Sequence, residues 1–70
     1  KDVKDEDKLF KIIKYAFMQR RKTLMNALQN SEIGIDKEEL KKVLNTLGID
    51  ERVRGEALTL EDFINITNLL

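Results

Sequence analysis

Apolar residues recur along this chain at helical spacing. Leu9, Ile12, Ile13, Ala16 and Phe17 fall at i, i+3, i+4, i+7 and i+8, one buried stripe on an α-helix. Asp5, Glu6 and Asp7 precede the stripe, where carboxylates suit the positive end of the helix dipole. Lys4, Lys8, Lys11 and Lys14 recur beside it. A second, short helix is expected around Leu24, Ala27 and Leu28, with Thr23 as N-cap. Ser31 to Ile35, with Gly34, reads as a loop. Asp36 followed by Glu39 resembles a capping box, and Leu40, Val43, Leu44 and Leu47 form a third stripe that Gly48 ends as a left-handed cap. Arg52 to Ala57 is expected to form one turn. Thr59, with Asp62 three residues on, caps a last helix in which Leu60, Phe63, Ile64 and Thr67 face inward. No alternating run competes, and there is no proline and no repeat. The expected fold is all-α, a small bundle of four to five short helices.

Seventy residues hold one domain with a small core. The absence of Cys and His removes disulfides, thiolate sites, the usual zinc ligands and the usual general base. Ser31, the one serine, has no histidine to activate it. No apolar run approaches the ~20 residues of a membrane span. Composition therefore points to a soluble, intracellular module that does no chemistry itself, with no metal and no membrane partner.

Net charge is zero, but its distribution is uneven. Residues 1–30 carry eight cations against four anions, a net of +4; residues 31–70 carry five against nine, a net of −4. No acid occurs between Asp7 and Glu32, an interval that holds six cations. A helix that uses charge only for solubility mixes signs to gain i,i+4 pairs. The first half of this chain forgoes them, which points to an anionic partner.

The segments "IDKEELKKVLNTLGID" and "LTLEDFINI" invite comparison with calcium-binding helix–loop–helix pairs. Calcium loops need oxygen ligands at positions 1, 3, 5 and 12 and glycine at 6. Setting Glu39 at position 12 puts Leu28 at 1 and Ile33 at 6. Ending the second loop just before Phe63 puts Val53 at 3 and Gly55 at 5. Neither loop can wrap an ion. Gly34, Gly48 and Gly55 are isolated, so no glycine-rich phosphate loop is present. Phe17 and Phe63, at helical spacing, are expected in the core rather than stacked on bases; Tyr15 is more open.

The segment "FMQRRKTLMNAL" (Phe17 to Leu28) bunches Arg20, Arg21 and Lys22 between two apolar stretches. They can cap the C-terminal end of the first helix, which would account for one or two cations. Three in a row, continuing an acid-free face with Lys11 and Lys14, favour contact with nucleic-acid phosphates, which hold and orient without reading sequence.

The pattern F-x-x-R-R-K-T-L-x-N-x-L, here Phe17, Arg20, Arg21, Lys22, Thr23, Leu24, Asn26 and Leu28, resembles the C-terminal domain of the KsgA family, the dimethyladenosine transferases of small-subunit ribosomal RNA. The resemblance continues through "LGID" (Leu47 to Asp50), Arg54 and Glu56, and "LTLEDF" (Leu58 to Phe63). Met25 stands where the family often has Arg. Gly55 stands where it often has Ala, and is expected to loosen that turn.

The resemblance implies a parent enzyme with an N-terminal Rossmann-like domain that binds S-adenosylmethionine. That enzyme dimethylates two adjacent adenosines near the 3′ end of the RNA during ribosome assembly. The C-terminal domain helps to place it on the immature small subunit, in the cytoplasm. The present chain, residues 1–70, resembles that second domain alone. It lacks a cofactor loop and the family's Asn-Leu-Pro-Tyr type motif, so no catalytic or cofactor-binding residue is expected in it. The expected RNA contacts are Arg20, Arg21 and Lys22, extended by Lys11 and Lys14. Asn26 would hydrogen-bond RNA or stabilise the turn. Phe17, Leu24, Leu28 and Phe63 are expected to be structural. So are Arg54 and Glu56, which would pair with each other or tie their turn to the bundle. The alternative function is a helical protein-interaction module that does not bind nucleic acid.

Overall fold

The computed structural model describes residues 3–29 and 33–70. Four helices follow one another: α1 (Glu6–Met18), α2 (Leu24–Gln29), α3 (Lys37–Thr46) and α4 (Leu60–Leu69), with a 3₁₀ turn (Gly55–Ala57) before α4. No β-strand occurs among the described residues, so the chain is all-α. Of the expected loop at Ser31 to Ile35, Ser31 and Glu32 lie outside the described residues. Within it, Gly34 takes φ +70°, a conformation that glycine reaches without steric cost.

The helix boundaries follow from short-range hydrogen bonding. Asp5 caps α1, its carboxylate accepting from the Lys8 amide at 3.0 Å. Thr23 Oγ1 accepts from the Asn26 amide at 3.2 Å and opens α2. Asp36 caps α3 by accepting from Glu38 rather than from Glu39, so the expected reciprocal box does not form there. At the other end, Gly48 takes φ +72°. Its amide donates to Asn45 O and the Ile49 amide to Leu44 O, the paired bonds of a Schellman ending. Thr59 and Asp62 form a complete capping box on α4, with bonds of 3.1 and 3.0 Å.

Each helix turns its apolar stripe to one core. Ile12 and Ala16 of α1, Leu24 and Leu28 of α2, Leu40 and Leu44 of α3, and Phe63 and Ile66 of α4 are essentially inaccessible to solvent. Thr67 is buried too, its hydroxyl satisfied by donating to Phe63 O at 2.8 Å. α1 and α4 run antiparallel: the Lys4 amide, just before α1, donates to Asn68 Oδ1 near the end of α4, while Phe17 and Phe63 meet at their opposite ends.

Two inward assignments change. Leu60 is 63% exposed, because it occupies the first helical position after the Thr59 cap, where the chain is still entering the bundle. Phe17 is 47% exposed, although its ring meets that of Phe63 in a tilted contact with centroids 6.1 Å apart.

Gly55 does not loosen its turn. It is buried, and a Cβ there would stand 2.7 Å from Ala16 Cβ and 3.2 and 3.3 Å from the Ala16 carbonyl oxygen and carbon. The missing side chain lets the 3₁₀ turn press onto the last turns of α1. An alanine requires the turn to stand farther off. Gly55→Ala is therefore expected to destabilise the domain by about 1–3 kcal/mol through overpacking. A thermal melt would show this as a fall of roughly 7–20 °C. Adding Ala16→Gly removes the closest contact, so the double variant should lose less than the sum of the singles, despite the helix cost of glycine. Strict additivity would mean that the close approach carries no strain.

Candidate nucleic-acid interface

The three bunched cations occupy a tight turn. α1 ends at Met18, and Gln19 closes it by donating its amide to Tyr15 O at 3.2 Å. The Lys22 amide then donates back to Gln19 O at 2.9 Å, which makes Arg20 and Arg21 the two central residues of a four-residue turn. Immediately after it, Thr23 forms an isolated antiparallel bridge with Arg54, and the Leu24 amide donates to Val53 O at 2.7 Å. The turn is thus fixed at both ends, by the close of α1 and by a short tie to the segment before α4. Central turn residues point their side chains outward, and Arg20, Arg21 and Lys22 are all exposed.

No basic residue lies within the last turn of α1; Arg20, Arg21 and Lys22 follow its Gln19 cap, next to the negative end of the helix dipole. Among the described residues none of the three takes part in an ion pair. By contrast, Lys41 reaches Glu51 at 3.9 Å and Arg52 reaches Asp50 at 3.7 Å. Met18, Gln19, Arg20, Arg21 and Lys22 together line an open depression of about 280 Å³, with room for a phosphate group above the turn.

Lys14 and Lys11 are exposed on the outer face of α1. Lys14 stands one turn before Met18, on the line that leads to the basic turn. Lys11 stands farther back and lines a second depression with Lys8, Ile33, Asp5 and Asp7. The two carboxylates weaken that end as an anion site, so positive potential is concentrated at the turn. Asn26 is exposed, and its backbone amide holds the start of α2 through Thr23.

Arg54 and Glu56 do not pair with each other among the described residues; the tie to the bundle runs instead through the Arg54 backbone. This bridge sets Arg54, exposed and without a carboxylate partner among the described residues, alongside the residue that follows Lys22. Sequence reasoning missed Arg54 as part of the cationic surface. No local signal could have shown it, because the bridge joins segments far apart in the chain. Leu24, Leu28 and Phe63 are buried in the core.

The described residues contain no group of three or more metal-ligating side chains, and none of their helices is long and apolar enough to cross a membrane. What the fold presents is a small all-α domain with a basic turn that is fixed at both ends and makes no ion pair among the described residues. No family model matches the chain. It is 48% identical over 69 residues to the ribosomal RNA small subunit methyltransferase A of Lachnoclostridium phytofermentans, an alignment that covers 97% of this chain and 24% of that protein. Proteins of the same name from Bacillus mycoides and Bacillus cereus are 45% identical over 71 residues, covering 99% of this chain and 24% of each. The chain is homologous to one segment of the ribosomal RNA small subunit methyltransferase A family, and it spans about a quarter of the length of these relatives.

Proposed function

We propose that this chain is the C-terminal helical domain of a small-subunit ribosomal RNA adenine dimethyltransferase, and that it holds the enzyme on RNA by gripping phosphates. The observation that carries the reading is the basic turn. Arg20, Arg21 and Lys22 are exposed, make no ion pair among the described residues and stand on a backbone fixed by bonds on both sides, so little backbone ordering is needed when they meet an anion. Arg54 extends the same surface, with Lys14 and Lys11 behind it, and Asn26 supplies a polar group at its edge. Backbone phosphates are what such a surface suits: it offers strong positive potential and no deep cleft for a base.

On this reading the chain is a positioning domain and not itself an enzyme. The parent would transfer methyl groups from S-adenosylmethionine, held in a separate N-terminal domain, to two adjacent adenosines near the 3′ end of small-subunit RNA. Its partners would be the immature small subunit and its own catalytic domain, and its place the cytoplasm, where it would serve rRNA processing and ribosome biogenesis.

The test is a salt titration of RNA binding by the 70-residue chain. Three to four phosphate contacts on a duplex imply a log–log slope of about −3 to −4, an affinity loss on the order of 10²-fold between 50 and 200 mM salt. A protein-interaction module would show no salt-dependent RNA binding, and a flat titration would replace the present reading with that one.

A further inference from the structure

The basic turn carries more than charge. Met18, 64% exposed, lines the same open depression as Arg20, Arg21 and Lys22, with the half-buried Gln19 between them. A phosphate makes no use of a thioether. Single exposed apolar residues are ordinary on a protein surface, but Met18 forms part of the wall of a concave cationic site. The depression is also larger than a lone phosphate would fill: its volume of about 280 Å³ approaches the ~300–1,000 Å³ of small-molecule sites. Gln19 stands on fixed backbone, its amide donating to Tyr15 O at 3.2 Å and its carbonyl accepting from the Lys22 amide at 2.9 Å.

We infer that Met18 and Gln19 make a base subsite next to the phosphate contacts, and that the domain takes RNA at an unpaired nucleotide rather than along unbroken duplex. The inference rests on the phosphate-binding reading above and names the kind of RNA that the site selects. Each component has its chemistry. The Met18 thioether is polarizable and makes favourable contacts with aromatic rings. The guanidinium plane of Arg20 or Arg21 can stack on a base while its charge meets the adjoining phosphate. The Gln19 side-chain amide offers both a donor and an acceptor to a base edge. The depression is open rather than deep, so the base lies against its wall and enters no cleft. Bases within an A-form helix are stacked, and its narrow major groove shuts side chains out, so only an unpaired base, in a bulge, a loop or an end, can reach such a wall. Charge separates this occupant from an apolar protein segment: Arg20, Arg21 and Lys22 surround the depression, and no carboxylate among the described residues lines it.

The experiment measures binding of the 70-residue chain to three RNA hairpins: an unbroken stem, the same stem with one bulged adenosine, and the same bulge carrying an abasic ribose. The abasic hairpin keeps the phosphates and the flexibility of the bulge and lacks only the base. The wild type should prefer the bulged adenosine over both others by on the order of tenfold, as stacking of one base implies. Met18→Ala should bring that ratio to about one, and Met18→Phe, which restores a flat apolar platform, should keep it. Met18 is exposed, so both variants should melt within a few degrees of the wild type. The ratio compares RNAs on the same protein, so a partial loss of fold cannot imitate its disappearance. The inference is overturned if the wild type binds the bulged and abasic hairpins equally, or if Met18→Ala keeps the full preference. In either case a steep salt dependence on all three RNAs would leave the phosphate contacts standing. A flat salt titration on all three would overturn the phosphate reading itself, and the base subsite with it.

Discussion

Replacing Arg20, Arg21 and Lys22 together by Gln should abolish most of the RNA affinity of this domain while leaving it folded. The three side chains are exposed, make no ion pair among the described residues and lie beyond the last turn of α1. Surface substitutions of this kind stay within about 0.5 kcal/mol, so the melting temperature should move by less than about 4 °C. The turn itself should persist, because it is closed by the backbone bond from Lys22 to Gln19 and by the Thr23–Arg54 bridge, which no side-chain charge supports. RNA binding should respond quite differently. Each lost contact to a duplex flattens the salt slope by roughly one unit, so the slope should fall by about three and the affinity near 0.1 M salt by on the order of 10²-fold or more. Arg54→Gln alone should remove about one further unit, which tests whether the bridge has recruited that residue to the surface. In the parent protein the triple variant should associate weakly with the small subunit and bind S-adenosylmethionine normally. A folded triple variant with unchanged affinity and slope would mean that the three cations are ordinary solvated surface.

Truncating Phe63 to Ala should unfold much of the population at moderate temperature. Its side chain is 2% exposed and closes the core between α1 and α4, with the Phe17 ring across it at 6.1 Å and 45°. Large-to-small changes at such a site cost about 3–5 kcal/mol, because lost transfer energy adds to an unfilled cavity. A 70-residue domain has only about 4–10 kcal/mol in total, so the expected fall in melting temperature is roughly 20 °C or more. Phe17→Ala should cost distinctly less, since half of that ring already faces solvent. The two variants also separate fold from function. Phe63→Ala should lower RNA binding only in proportion to the fraction unfolded, and its salt slope should match that of the wild type. A melting point within a few degrees of wild type would show that the α1–α4 junction repacks easily and that Phe63 is not the keystone of the core.

Most of the secondary structure was legible because the rules that set it act within about four residues. The stripe from Leu9 to Phe17, the Thr59–Asp62 box and Gly48 each announce themselves through neighbours one helical turn away. The same locality explains the misses. Periodicity marks Phe17 and Leu60 as apolar and helical, but not how far the neighbouring helix reaches over them. One lies at the edge of a helix pair and the other in the first turn after a cap, and both remain open. The basic turn was legible as a cluster of charge, but the bridge that ties it to the segment before α4 was not.

The sequence by itself determined the all-α class, the helix caps, the segregation of cations into the first half and the motifs that align the chain with its relatives. These are properties of residue type and short spacing. Only the tertiary structure decided that Thr23 pairs with Arg54 and that Gly55 lies against Ala16. Each of these joins segments distant along the chain. Such contacts form only when burial of the common core selects one mutual packing of the helices, and no local preference encodes that choice.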